Sequence, residues 1–463
     1  MLSTTLLCGL LWLCAPLISA KSISGNRVLV VAEDPAIEGD YSQFLGDLEA
    51  RGFVLDIKSP RAKDLALFVH EERSYDHAVF FPPTSKSYGN VLTAQNIAQF
   101  VDREGNVLIL TSSSGTTDAV RDLATQLDID LPPRDFIAVD HFNYDATSSP
   151  EKHDVVLIPR PTESEDSKNY FAGKPGEVIA FHGVGHSISN RPLLFPILSG
   201  SRTAYTYDSK EDEDGTAADA WAAGTQMQYI TALQARNNAR VTIAGSTKMF
   251  SDEYFEMTVK TPKGEELPVH NRDFAIQLTQ WTFKEIGIVK TVAVRHYLTN
   301  QTDAEINPRM YRVKNDVTFE IELSEWKSSH WTPFSASWAP FTIPSTDTLQ
   351  LDFTMLDPYY RVPLLPSSST PTSTIFSASF RIPDQHGVFA FIVDYKRPFI
   401  SYIEEKYTVT VRHFAHDEFT RSWDISGAWV WIAGIAVTVS AWVVFCALWL
   451  WSKPTVESEK KTQ

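Results

Sequence analysis

Zinc chemistry is the first thing that His182 and His186 suggest, because imidazoles four residues apart share one face of a helix and can share a metal. Gly183 and Gly185 lie between them, which disfavours a helix, and no Glu follows the first His to act as a base. The stretch also lacks the G-x-S-x-G turn that presents a hydrolase serine, so it reads as a tight loop packed on its domain. Asp128-Ile129-Asp130 mimics the D-x-D by which nucleotide-sugar transferases hold a divalent ion. It sits at a helix end before Pro132-Pro133, and a structural or solvated role is the favoured reading. Thr111-Ser112-Ser113-Ser114-Gly115 follows a strand and can hold an anion through backbone and hydroxyl groups. No G-x-G-x-x-G turn follows the first strand, so the loop reads as a turn and helix entry. These residues supply no convincing nucleophile, acid/base pair or metal cluster, and the expectation is no catalytic residue, cofactor or metal.

Strands and helices alternate through the first half of the chain. Arg27–Val31, Phe53–Ile57, His77–Phe81 and Asn106–Leu110 are short apolar runs that fit buried strands. Helical spacing links Tyr41, Phe44, Leu45 and Leu48 before Gly52. It also links Val91, Ala94, Ala98 and Val101 before Gly105, and Val120, Leu123, Ala124 and Leu127 behind a Thr116 or Thr117 cap. This pattern predicts an α/β domain with a parallel sheet covered on both faces. Asp154–Ile158, Glu177–Phe181 and Arg240–Ala244 are predicted to extend it. A last helix is predicted with Asn271 or Asp273 as its cap and Phe274, Leu278 and Trp281 on one face, ending near Gly287. The acidic run Asp208–Asp214 reads as a solvated loop. Beyond about residue 290 the pattern changes to alternating runs at Thr291–Tyr297, Val317–Leu323, Leu349–Phe353, Val388–Asp394 and Tyr407–Arg412. Pro, Ser and Thr punctuate them, heavily at Pro366–Thr374, and predict a β-sandwich-like module.

The ends of the chain carry targeting signals. Leu6–Leu17 is nearly all apolar and too short to span a bilayer, and Ala20 suits a cleavage site, so 1–20 reads as a signal peptide although it lacks a basic start. Residues 425–451 carry no charge and are long enough to cross a membrane. Trp429 and Trp431 near one end, and Trp449 and Trp451 near the other, fit the two interfacial belts. Gly427, Gly434 and Ala441 recur at sevens and predict a helix face that a neighbouring helix can approach. In the tail, 452–463, Lys460 and Lys461 stand four and three places from the end. They match the dilysine signal by which a coat complex returns membrane proteins to the endoplasmic reticulum.

The predicted organisation is therefore a signal peptide (1–20), a luminal α/β domain (21–288), a luminal β-rich module (289–424), a membrane helix (425–451) and a cytosolic tail. A chain with 57 acidic against 41 basic residues, net −16, argues against nucleic acid as a partner. Cys8 and Cys14 fall in the signal and Cys446 in the span, so the luminal part is expected to fold without disulfides and to do no thiol chemistry. Asn300-Gln301-Thr302 is a glycosylation acceptor in a polar turn.

Longer stretches are more specific. They are Phe136–Asp145, Leu233–Arg240, Gly245-Ser246 with Phe250-Ser251-Asp252, Trp281–Glu285 and Asp384–Phe389. With the single span and dilysine tail, they resemble the wheat germ agglutinin-binding protein family, the non-catalytic 48 kDa-type subunit of oligosaccharyltransferase, and fungal members most. The resemblance covers essentially the whole mature chain. It implies a subunit of the complex that moves a preassembled oligosaccharide from dolichyl diphosphate to Asn of N-x-Ser/Thr. It also implies three partners: a catalytic subunit, a ribophorin II-like subunit and a small defender-against-death-like subunit. For the N-terminal domain it implies a glutamine amidotransferase-like fold without the catalytic cysteine. Arg236 and Arg240, with Asn237 and Asn238, can then face a partner or a glycan. The favoured alternative is a turn at Asn237-Asn238 with the arginines satisfied by local carbonyls. Two other classes stay open: a glycan-binding cargo receptor of the early secretory pathway, and a membrane-anchored luminal hydrolase or transferase.

Overall fold

The computed structural model describes residues 21–33, 37–83, 88–113, 116–162, 170–210, 220–301, 303–327, 329–335, 349–421 and 427–451. Residues 1–20, expected as a signal peptide, Ser114 and Gly115, the acidic residues from Glu211, Thr302, Ile425 and Ser426, and the tail with Lys460 and Lys461 lie outside the described residues.

Seven strands form the first sheet, in the spatial order Leu194–Ser199, Gln228–Gln234, Arg240–Ala244, Asn106–Leu110, His77–Phe80, Arg27–Val31 and Val54–Lys58. The last five run parallel, and the first two are antiparallel additions to one edge. Alternate residues of each strand serve opposite faces, as the pleat requires. Val28, Val30, Val79, Leu108 and Ala244 pack with Phe44, Leu48, Phe274, Leu278 and Trp281, from the helices Ser42–Ala50 and Asn271–Thr282. Leu29, Ala78, Val107, Ile109 and Val241 pack with Ile97, Phe100, Val120 and Leu123, from the helices Ala94–Asp102 and Asp118–Gln126. Thr117 caps the last of these by accepting from the Val120 amide at 3.4 Å.

Val156–Pro159 and Val178–Phe181 are strands of this domain, as expected, and pair with each other, antiparallel, beside the main sheet. One expectation changes. Asn271 is not a cap, because His270 occupies that position. Its amide instead grips the Ala180 backbone from both sides, accepting from the N–H at 2.9 Å and donating to the carbonyl at 2.8 Å. A side-chain amide thereby ties the small sheet to the last helix.

The β-rich part contains two five-stranded sheets around one core. Ile288–Leu298, Asp316–Lys327, Thr374–Arg381 and Leu365–Ser369 follow one another across the first, and His330–Pro333 pairs with the second of these. Met310–Arg312, Ile403–Arg412, Gly387–Tyr395, Gln350–Thr354 and Pro358–Pro363 form the other. Val317, Phe319, Ile321 and Leu323 alternate inward against Phe353, Phe389, Phe391 and Val409. The Pro- and Ser-rich punctuation is partly structured: Leu365–Ser369 is an exposed edge strand, where a proline removes no ladder bond that a neighbour needs. The helix Trp429–Trp451 has no buried residue and is long and apolar enough to cross a membrane.

A buried polar chain runs along the amino ends of the central strands. The His77 ring meets the Gly25 carbonyl with Nε2 (3.2 Å) and the Asn106 amide with Nδ1 (3.1 Å). The carbonyl requires a donor and the amide N–H an acceptor, which is the neutral tautomer protonated on Nε2. The ring lies between Phe53 and Phe283, and burial pushes its pKa down to about 3. In the unfolded chain the group titrates near 6.5. Its contribution is therefore complete above pH 6.5 and is lost as pH falls toward 3. The unfolding free energy is expected to drop by about 1.4 kcal/mol per pH unit through this group below pH 6. Denaturation of the full chain in detergent, repeated from pH 7.5 to 4.5, measures this slope. His77→Gln should be less stable at pH 7.5 and should show a shallower slope.

Candidate functional site

Arg240 opens the central strand Arg240–Ala244, and its side chain is fully buried. Among the described residues it forms no ion pair. Its guanidinium donates instead to the carbonyls of Trp281 (2.6 Å), Ile286 (2.7 Å) and Gly287 (2.6 Å). The Trp281 carbonyl belongs to the last turn of the helix Asn271–Thr282, where the helix dipole is negative. The cation also lies 4.7 Å from the Trp281 ring centroid. Burial lowers its pKa to about 9, which leaves it charged near neutrality. Its own backbone N–H donates to Asn106 Oδ1 (3.1 Å), so the chain from His77 continues into it.

The same residues fasten the two halves of the chain together. The loop between Gly387–Tyr395 and Ile403–Arg412 inserts Phe399 among Phe171, Phe195 and Trp281, with ring centroids 5.2, 5.5 and 5.8 Å away. Trp281 Nε1–H donates to the Phe399 carbonyl at 2.9 Å, and the Ser401 amide donates to the Gly287 carbonyl at 3.0 Å. Gly287 has φ +69, and a Cβ there would stand 2.4 Å from the Phe399 carbonyl, so only glycine admits the loop. Asn238, also at positive φ, clamps the Tyr402 backbone by accepting from its N–H at 2.7 Å and donating to its carbonyl at 3.2 Å. Gln234 donates to the Ile400 carbonyl at 2.8 Å. Arginine fits this place because its rigid fork presents donors from separate nitrogens, whereas an ammonium presents its three from one.

The other candidates have structural occupations. His186 is buried, its Nε2 lies 2.7 Å from Thr231 Oγ1, and burial pushes its pKa down to about 3. His182 is partly buried, 3.9 Å from Asp154, with its pKa lowered by burial. Gly183 and Gly185 let this loop lie against the Gly245 backbone and the Met227 side chain. Asp128 ends a helix at positive φ and pairs with Arg191 at 3.0 Å, while Asp130 lies in a two-residue pairing with Ser187. No group of three metal-ligating side chains occurs among the described residues. Thr111 donates to the Ala244 carbonyl at 3.1 Å and Thr116 to the Ser112 carbonyl at 3.1 Å, which builds the Ser-rich loop into the helix entry. Asn237 makes the turn and donates to the Val101 and Asp102 carbonyls, and Arg236 is exposed. Asn300 is exposed in the turn after Ile288–Leu298.

At the carboxyl end, Trp429, Trp431, Trp449 and Trp451 are all exposed on the helix. Gly427 stands outside the helix at φ +60, so the face of small residues keeps Gly434 and Ala441 but loses Gly427. Gly427 ends the approach to the helix in a left-handed turn, and the helical spacing of sevens begins only after it.

A family profile described as the OST48 N-terminal domain matches residues 19–285, and one described as the OST48 middle domain matches residues 296–453. The chain belongs to the OST48 family. Among its relatives is the dolichyl-diphosphooligosaccharide–protein glycosyltransferase subunit wbp1 of Schizosaccharomyces pombe. That protein is 33% identical over 94% of this chain and 95% of its own length. The subunit WBP1 of Saccharomyces cerevisiae is 28% identical over 88% of this chain and 86% of its own length. A ThuA-like protein from Parabacteroides merdae aligns with a TM-score of 0.30 and 11% identity, covering 56% of this chain and 89% of that one; the likeness is too slight to assign a fold family. The Arg240 junction spans the gap between the two OST48 profile segments.

Arg240→Met keeps the bulk and removes the donors. It is expected to cost about 1–3 kcal/mol, the range for leaving a buried neutral acceptor without its donor. Arg240→Lys should recover only part, since an ammonium offers its donors from a single nitrogen, whereas the three carbonyls are met from two guanidinium nitrogens. Denaturant titration of the full chain in detergent measures both, and a loss below about 1 kcal/mol for the Met variant would refute the role assigned to Arg240.

Proposed function

We propose that this chain is a non-catalytic subunit of oligosaccharyltransferase. It supports transfer of a preassembled oligosaccharide from dolichyl diphosphate to Asn of N-x-Ser/Thr in the endoplasmic reticulum. The observation that carries the reading is the full-length match to proteins named as subunits of that glycosyltransferase. The structural occupations of His186 and Arg240 support a scaffolding role, because each group is held by the fold rather than offered to a substrate. In this reading residues 21–424 lie in the lumen, one helix crosses the membrane, and Lys460 and Lys461 face the cytosol as a retrieval signal.

The helix Trp429–Trp451 has 23 residues. At 1.5 Å per residue it is roughly 35 Å long, enough to cross the ~30 Å hydrocarbon core. Trp429 and Trp431 would meet one interface, and Trp449 and Trp451 the other. A catalytic subunit, a ribophorin II-like subunit and a small defender-against-death-like subunit are the proposed partners, with Gly434 and Ala441 lying where a neighbouring helix approaches.

Affinity purification of a tagged chain in mild detergent tests the proposal. Several membrane proteins should be recovered with it in fixed ratio, and the chain alone should neither turn over lipid-linked oligosaccharide nor retain free glycan. Gly434→Leu with Ala441→Leu should cut partner recovery several-fold and leave membrane insertion intact. Turnover by the purified chain alone would overturn the non-catalytic assignment, and normal recovery with the Leu pair would move assembly to the luminal surfaces.

A further inference from the structure

A cleft of about 840 Å³ lies between the two halves of the chain, beside the Phe399 insertion. It stands at the amino ends of the parallel strands, where Gln228–Gln234 turns back into Arg240–Ala244. An α/β sheet usually binds ligands at the opposite ends of its strands, where the Ser-rich loop lies. Arg191 and Arg236 face the cleft from the first half, and Lys396 and Arg397 from the second. Only two carboxylates, Asp128 and Glu404, share the lining with these four cations. Phe195 and Leu233 add an apolar surface. In a chain of net charge −16, a lining with an excess of positive charge is a local reversal of sign. Its size is that of a small-molecule site, and a domain junction is a common place for one.

The existing pairs narrow the ligand. Asp128 holds Arg191 at 3.0 Å, and Glu404 and Asp394 each hold Lys396 at 3.2 Å. A monocarboxylate entering the cleft would only exchange one carboxylate for another. A phosphate monoester carries nearly two charges near neutral pH and three acceptor oxygens, so it gains more from the same cations. Arginine forks suit its geometry, and the apolar wall accommodates an organic body. We infer that this cleft is a binding site for a small organic phosphate, gripped from both halves by Arg191, Arg236, Lys396 and Arg397. The inference does not rest on the assignment to a glycosyltransferase complex. Bound there, the ligand would bridge the junction and stabilise it by mass action.

The phosphate can come from a soluble sugar phosphate or from a phospholipid headgroup, and the test separates them. The full chain in neutral detergent is titrated calorimetrically at low salt with glucose 6-phosphate, with glucose as control, and in a second arm with short-chain phosphatidic acid. Binding of either phosphate, without binding of glucose, is expected, and it should weaken as salt is raised. Arg236→Glu should weaken it tenfold or more. Arg236 is exposed, so the variant should melt at the wild-type temperature without ligand, and Arg191→Gln provides a second, independent variant. Binding of glucose 6-phosphate assigns a soluble ligand, and binding of phosphatidic acid alone assigns a headgroup. Failure of both phosphates to bind, or equal binding to wild type and both variants, would overturn the site.

Discussion

Arg240 carries a charge into a place with no carboxylate to meet it among the described residues, and the arrangement around it follows from that constraint. Desolvating a guanidinium is costly unless every donor it turns inward finds an acceptor. The acceptors are the end of one helix and the backbone of the connection that follows. That connection leads straight into the strand Ile288–Leu298, the first of the β-rich part. Through its two terminal nitrogens Arg240 therefore fixes where the second half begins relative to the first, while its buried Nε finds no acceptor among the described residues. Phe399 and Asn238 then engage from the other side, and the junction becomes a packed, hydrogen-bonded surface rather than a linker.

Such a junction suits a chain that holds other components in place. Domains within one chain often move when little apolar surface joins them. Here an aromatic nest and a buried polar chain cross the boundary. Arg51 and Glu285 add a second brace nearby, an ion pair of 2.5 Å between almost fully buried side chains that links the end of the helix Ser42–Ala50 to the residues after Asn271–Thr282. Burial lowers the Arg51 pKa and raises that of Glu285, and the charge of each partner opposes the shift of the other.

Much of the fold was legible in the sequence because the apolar runs of the parallel strands are continuous and the helices between them are amphipathic. The two antiparallel edge strands were not. All seven residues of Gln228–Gln234 are buried and include glutamine and threonine, so neither alternation nor a plain apolar run marks them. Leu194–Ser199 contains Pro196, which reads as a break. The favoured reading of Asn237-Asn238 as a turn agrees with the structure, but its arginines are not held by local carbonyls: Arg236 is exposed, and Arg240 reaches carbonyls distant in the chain. The identity of those carbonyls did not follow from sequence, because they lie more than forty residues away. Phe399 carried no signal beyond its place after a proline in a charged loop. Its partners, Phe171, Phe195 and Trp281, come together only when the sheet and last helix are formed.

The central claim is that Arg240 makes the two halves open together. Hydrogen exchange of the full chain in detergent tests it most directly at the Ser401 and Tyr402 amides, which donate across the junction, and at the Phe283 amide, which closes the last turn of the helix. The account predicts that all three exchange through one opening, with the same free energy and the same response to denaturant. It also predicts that Arg240→Met lowers all three alike. Rapid exchange at Ser401 and Tyr402 while Phe283 stays protected would show that the halves separate freely, and would contradict it.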